Sequence, residues 1–347
     1  MIDGVKHMKN WKSCFQNKKI KSVENIFAII VCLTIIVALC SICLGAAKLT
    51  LRDLYIAVTQ GADSGMAGRI FWYVRLPRTL ACILAGAGLA VSGTIIQSVL
   101  NNKLASPGII GVNAGAGLMV TIACAYGTLS GWVIAGSAFT GALFAVFMVA
   151  LTAQKLGASK TTVILGGVAV NSFLNAITEA IITLIPEVGM STADFRVGGF
   201  SSVAYTRLLP AGFLIVAAIV FLLTLCNELD VMALGEDTAQ GLGLSVKKMR
   251  TIFLILVALL AGASVSFAGL LGFVGLIVPH IGRYLVGSES KKLIPFSAFF
   301  GAALVTLCDL IARVAFAPYE VPVGIFMSLI GGPFFITLLM KKRGNRL

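Results

Sequence analysis

Acidic side chains are scarce in this chain. Only 14 Asp and Glu stand against 27 Lys and Arg, and charged residues of either sign make up 12% of the 347. A soluble domain of this length needs more charge than that to wet its surface, so a soluble globular protein is excluded. Histidine is scarcer still: His7 and His280 are far apart and form no metal-ligand motif. His280 follows Pro279 in an apolar run and reads as a packing histidine. The phosphate-cradling pattern G-x-x-x-x-G-K-[ST] is missing, since Gly157-Ala-Ser-Lys160-Thr161 lacks the glycine before the lysine. No short motif brings paired carboxylates together. These absences point away from an enzyme.

Apolar residues are plentiful, at 58% of the chain, with a mean hydropathy of +0.99. They come in long blocks, the mark of an integral membrane protein. The net charge of +13 raises the question of nucleic acid. Its placement answers it: the cations sit in short gaps between apolar blocks, not interleaved with aromatics, so no nucleic-acid partner is expected. Eight cysteines are present, seven of them within or at the ends of apolar blocks. Cys40-Ser-Ile-Cys43 has redox spacing but lies inside the first block, where cysteine is a small packing residue. No disulfide framework is expected. Residues 1–25 are basic and precede a long apolar run, which reads as a cytoplasmic tail and an uncleaved first span.

About 20 apolar residues make a span. The blocks place spans near 26–46, 79–100, 108–128, 132–153, 162–185, 208–226, 251–270, 272–287, 294–313 and 322–340. The expected fold is therefore all-α and polytopic, with one ten-helix domain over 26–340 and a C-terminal tail at 341–347. An even count puts both termini on one side. With the termini inside, 15 of the 16 lysines are cytoplasmic and only Lys48 is outside, as the positive-inside rule requires. One segment breaks the rule. The first outer loop, 47–78, carries Lys48, Arg52, Arg69, Arg75 and Arg78, and its densest part is the stretch RLPRTL at 75–80. Pro77 suits a first helical turn. Arg78 then stands at a helix N-terminus, where the dipole disfavours a cation.

Small residues mark where helices approach closely in lipid: Gly86, Gly88, Ser92 and Gly93 in the second span, and Gly111 with Gly115 in the third. The intramembrane carboxylates are Glu179 and Asp309. Asp309 lies four residues before Arg313, so the two can pair on one helix face. No chain of carboxylates suggests a proton relay. The largest inner loop, 227–250, is NELDVMALGEDTAQGLGLSVKKMR. Glu236 to Gly241 favours a short helix with acids in its first turn, Gly243 breaks it, and Leu244 onward starts another. The residues alone leave open a docking knob for a soluble partner and an ordinary interfacial connector.

The stretch LGEDTAQGLGLSVKKMR (234–250) resembles the coupling-loop signature of the permease subunits of iron–siderophore, haem and cobalamin ABC importers. The likeness covers most of the chain. RLPRTLACILAGAGLAVSGTIIQSVLNNKLASPGIIGVNAGAGL (75–118) is similar to that family's second and third spans. GFVGLIVPHIGRYLVG (272–287) resembles its eighth, and Asp309-Leu-Ile-Ala-Arg313 with Glu320-Val-Pro-Val-Gly324 and GGPFF (331–335) resembles its ending. The resemblance implies ten spans arranged as an inverted repeat in a bacterial plasma membrane. It implies a second permease subunit, identical or not, and two cytoplasmic ATPase subunits that use ATP and Mg while this chain binds no cofactor. It also implies an extracytoplasmic binding protein that delivers ferric siderophore, with cobalamin or haem as the alternative cargo.

In that family, outer-face arginines meet carboxylates of the binding protein; the matching positions are Arg75, Arg78 and Arg313. The coupling loop maps onto Gly235, Glu236, Asp237, Ala239, Gly243 and Leu244. A cytoplasmic gate maps onto Ser159, Lys160 and Thr161, with Lys160 departing from the family's small hydroxylated residues. An ion-coupled secondary carrier and a membrane assembly scaffold are the readings from other classes.

Overall fold

The computed structural model describes residues 24–344 apart from 46, 48, 128, 129, 156–159 and 318. Among the described residues the regular structure is helical. In chain order the helices are α1 (Glu24–Cys43), α2 (Leu51–Gln60), α3 (Met66–Val99), α4 (Val112–Ala125), α5 (Gly131–Lys155), α6 (Lys160–Leu184), α7 (Pro186–Val197), α8 (Tyr205–Thr224), α9 (Cys226–Ala233), α10 (Glu236–Gly241), α11 (Val246–Ala268), α12 (Val274–Val286), α13 (Ser290–Val314) and α14 (Val323–Gly344). Seven of them, α1, α3, α5, α6, α8, α11 and α13, are long and apolar enough to cross a membrane; α4, α12 and Val323–Leu338 of α14 are shorter apolar helices. Each apolar block of the sequence holds one of these ten. The helix α14 runs on to Gly344, through the first residues of the segment expected to be a tail.

The second block departs from its expected limits. Its helix begins at Met66, 13 residues before the expected start at 79, and runs unbroken for 34 residues to Val99. RLPRTL is therefore inside a helix, not at its threshold. The reason is a π-helical turn at Ile70–Arg75, where the N–H of Leu76 donates to the Phe71 carbonyl. Pro77 has no N–H to donate, and its ring crowds the preceding turn of a regular helix. The wider π register just before it lets the chain pass without a break. Trp72 lies in the same turn, half-buried, and its indole N–H donates to the Ala57 carbonyl at 2.9 Å. That bond ties α2 to α3. The helix α2 is itself started by a capping box, in which Asp53 N–H donates to the Thr50 hydroxyl and Thr50 donates back to the Asp53 carboxylate. Those bonds hold the exposed Asp53 carboxyl below its usual range.

The bundle is built around α3, which packs on α13, α11, α12 and α8. The glycines read from the sequence are the points of closest approach. A Cβ at Gly86 would overlap the backbone of Gly301 on α13, and one at Gly93 the backbone of Gly275 on α12. On α4 a Cβ at Gly115 would strike the Gly141 carbonyl of α5. Without a hydrophobic drive between helices in lipid, such contacts supply dispersion that a larger side chain would prevent. Gly111, the other half of the expected G-x-x-x-G, is the left-handed cap that starts α4 (φ +91°). The rim helices α1, α6 and α8 leave large apolar side chains such as Ile35, Phe173 and Phe213 exposed, as lipid-facing surfaces do.

Candidate functional site

The helix α3 carries Arg75 and Arg78, and α13 carries Asp309 and Arg313 at the same end of the bundle. All four are buried, between 1% and 6% exposed. Arg78 binds Asp309 in a forked arrangement, with Nη2 to Oδ1 at 2.9 Å and Nε to Oδ2 at 3.0 Å. Its remaining arm, Nη1, reaches Glu320 Oε2 at 2.6 Å. Arg313 lies 3.6 Å from Asp309, as the four-residue spacing predicts, and donates to the carbonyl and hydroxyl of Ser41 at 2.6 Å. Ser41 in turn meets the Thr79 hydroxyl at 2.8 Å. Arg75 donates to the carbonyls of Ile42, Cys43 and Ala47, at 2.9, 2.5 and 2.6 Å. It thereby gathers two orphan carbonyls of the last turn of α1 and one just beyond it, where a cation is favoured.

This differs from the placement the sequence led us to expect. Arg75, Arg78 and Arg313 are not free guanidinium groups on an outer surface; each is engaged by groups of this chain, although Arg313 Nε has no hydrogen-bond acceptor among the described residues. Arg78 also escapes the helix N-terminus assigned to it, because α3 continues through it. Of the other cations in the loop expected to lie outside, Arg52 and Arg69 are exposed, and Lys48 lies outside the described residues. The cluster still has one open edge. Arg78 and Glu320 border a cavity of about 240 Å³ that Asp194, Ser202 and Arg207 also line. The Glu320 side chain is 38% exposed. Sequence reasoning missed Ser41, Thr79 and Glu320 as members of the cluster. Nothing marks Ser41 and Thr79 in sequence, whereas Glu320 stands out as a carboxylate in an apolar ending.

At the other end lies the segment 226–250. It forms α9, then Gly235 with φ +108°, then α10, then Gly243 with φ +83°, then α11. The end of α10 is a Schellman turn: Leu244 N–H donates to the Ala239 carbonyl and Gly243 N–H to that of Gln240. The left-handed conformation this requires is the reason for glycine at 243. Ala239 is fully buried beneath the knob, while Asp237 faces out and Leu234 and Leu242 are 61% and 63% exposed. Of the two short helices expected, only α10 is a separate one; the segment from Leu244 onward runs directly into the 23-residue α11, and the other short helix, α9, precedes Gly235.

Glu236 joins this knob to the bundle. Its Oε1 accepts the Lys160 N–H at 3.1 Å, capping α6, and lies 2.5 Å from Nη2 of Arg250, which opens α11. The residues matched separately to a coupling loop and to a gate are therefore in contact. Thr161 follows in the first turn of α6, and Ser159 lies outside the described residues. Near the same end, the buried Gln97 of α3 donates to the Gly275 carbonyl at 3.0 Å and accepts from Arg283 of α12. The free cysteines, Cys40 and Cys43 included, form no disulfide among the described residues.

A long-helix bundle with ion-paired arginines inside one end and a capped polar knob at the other defines a polytopic helical membrane protein. Comparison with known proteins takes the assignment to a family. Residues 33–341 match the model of the FecCD transport family, and the chain belongs to that family. It is 37% identical over 301 residues to the Fe(3+)-citrate import system permease protein YfmD of Bacillus subtilis (strain 168), covering 86% of this chain and 89% of that one. It is 33% identical over 324 residues to the vitamin B12 import system permease protein BtuC of Shigella boydii serotype 18, covering 90% and 95%. A solved structure described as an inward-facing conformation of a metal-chelate type ABC transporter superposes with a TM-score of 0.80 at 28% identity, over 92% of this chain and 99% of that one.

Proposed function

We propose that this chain is the membrane permease subunit of an ATP-binding-cassette importer for ferric siderophores, a transport subunit and not itself an enzyme. The observation that carries this reading is the knob from Gly235 to Leu244. It offers exposed Leu242 and an acidic first turn to a soluble partner, with exposed Leu234 just before it, and Glu236 fixes it to the starts of α6 and α11. Two cytoplasmic ATPase subunits grip these knobs, one on each of two permease subunits. Closure of the ATPase pair on ATP and Mg moves the knob, and through Glu236 the α6 end at Lys160–Thr161 and α11. The bundle is biased between inward- and outward-open states because the ATPase binds them with different affinity. In this reading ten helices span the membrane and both termini are cytoplasmic, supported by the one-sided lysines.

At the outer end, an extracytoplasmic binding protein delivers the cargo. Glu320 stands in for that protein's carboxylate: it is half-exposed and occupies the arm of Arg78 left free by Asp309. An incoming carboxylate replaces it, and Arg's planar fork suits the exchange. Arg75 and Arg313 hold the surroundings of that contact. The iron-citrate relative favours an iron chelate; the vitamin B12 relative supports cobalamin as the second reading, and haem is kept beside it as the other alternative cargo. A binding screen on the cognate binding protein with ferric siderophores, haem and cobalamin tests the choice. Saturable binding of ferric siderophore alone is expected, and selective binding of cobalamin or haem overturns it.

A further inference from the structure

Cations gather where α5 ends and α6 and α11 begin. Lys155 closes α5, Lys160 opens α6, and Lys247, Lys248 and Arg250 lie in the first turn and a half of α11. Between these ends is a cleft of about 420 Å³, with Lys247, Lys248 and Arg250 above Ala153, Val163 and Leu254. Arg250 is only 4% exposed. One arm is paired in charge with Glu236, but its Nε and Nη1 have no hydrogen-bond acceptor among the described residues. A buried guanidinium with idle donors is costly, and it calls for an acceptor in the cleft it lines. The start of α11 adds to the demand, since Ser245 provides no side-chain cap.

A second groove, of about 350 Å³, continues from the first along the α5–α11 seam. The two share Ala150, Thr251 and Leu254. The continuation is apolar, lined by Val146, Phe147, Leu151 and Ile255, and the last three are exposed to what surrounds the bundle. A basic mouth leading into an apolar groove suits an anion joined to a hydrocarbon chain. Free phosphate or a nucleotide has no use for the groove.

We propose that this seam binds an anionic phospholipid of the cytoplasmic leaflet. Its phosphate sits against Arg250, Lys247 and Lys248, and an acyl chain lies along α5 and α11. Basic pockets between helices at the cytoplasmic face are fit for such headgroups. The leaflet, though not the chemistry, rests on the orientation proposed above.

The test is native mass spectrometry of the full chain, alone and with its ATPase partner, titrated with phosphatidylglycerol or with phosphatidylcholine of the same acyl chains. Phosphatidylglycerol is expected to bind at least tenfold tighter. Lys247→Gln with Lys248→Gln should weaken it about 30-fold, from two headgroup cations. Lys291→Gln with Lys292→Gln, exposed near the start of α13, should leave it within about threefold, since remote surface charges contribute little. Equal affinity for the two lipids overturns the proposal, as does an equal loss in both variant pairs. Displacement of phosphatidylglycerol by millimolar glycerol phosphate would reveal an anion site without a lipid. Loss of the ATPase with lipid binding intact in the Lys247/Lys248 variant would make the cleft a protein contact instead. Lipid affinity is read without transport, so failure of the importer reading leaves this result separate. Labelling of Lys247→Cys from outside intact vesicles would overturn the leaflet assignment alone.

Discussion

Removing the Asp309 carboxylate strands two buried cations at once. Asp309 is 1% exposed, accepts three hydrogen bonds from Arg78 at 2.9–3.2 Å, and lies 3.6 Å from Arg313. In Asp309→Ala, Arg78 retains Glu320, whose half-exposed position weakens the compensation. Arg313 retains only the Ser41 carbonyl and hydroxyl, which carry no charge. Breaking a buried pair from one side costs about 3–5 kcal/mol. At ~2–4 °C per kcal/mol for a large domain, the apparent melting temperature should fall by roughly 10 °C. Fluorescence-detected size-exclusion after a heating series measures it. Asp309→Asn keeps the shape and loses the charge, so it should fall nearly as far. Arg78→Met combined with Asp309→Ala should lose less than the sum of the singles, with a coupling of ~0.5–3 kcal/mol. A melting temperature within ~2 °C of the parent for Asp309→Ala would show that the cluster is not what holds α3 to α13.

Further expectations concern packing, coupling and docking. Gly93→Val should destabilise by at least ~1–3 kcal/mol, because its Cβ has no room against Gly275, whereas Gly136→Ala, with open space around it, should melt like the parent; equal melting of the two variants contradicts the close α3–α12 contact. Gly243→Val forces a β-branched residue to φ +83° and should cost the α10 Schellman turn, read as loss of permease-stimulated ATP hydrolysis while the bundle stays folded; unchanged stimulation counts against the knob. Glu236→Gln should keep the cap on α6 yet lower that stimulation, by weakening the attraction to Arg250. Glu320→Gln should raise the affinity of the binding protein several-fold by freeing an arm of Arg78, and a lower affinity would refute the stand-in role.

The membrane class and the ten apolar blocks were legible because hydropathy is a property of single residues summed over a window. The glycines of α3 were legible for a similar reason: only close approach explains so many small residues on one helix, and Gly86 and Gly93 meet backbone as expected. The start of α3 was not. Met66 to Arg75 mixes polar and aromatic residues, and a π turn has no composition of its own, so the helix looked shorter than it is. The fate of Arg75, Arg78 and Arg313 was hidden by sequence distance. Arg78 and Asp309 are 231 residues apart, and nothing local says that Arg75 is taken up by backbone carbonyls at the end of α1 and Arg78 by two carboxylates. Asp309 with Arg313 was legible because the i, i+4 spacing is local. The knob was half legible: Gly243 and the acidic first turn announced α10, but Glu236 reaching Lys160 required the fold.

Reconstitution of the chain with its ATPase and its binding protein in proteoliposomes tests the account most directly, by following radioactive iron supplied as ferric siderophore. Uptake should require ATP, the ATPase and the binding protein together, and should vanish when Gly243→Val replaces the parent. Iron accumulation driven by an ion gradient without the ATPase, or saturable uptake of cobalamin or haem with none of the ferric chelate, would contradict it.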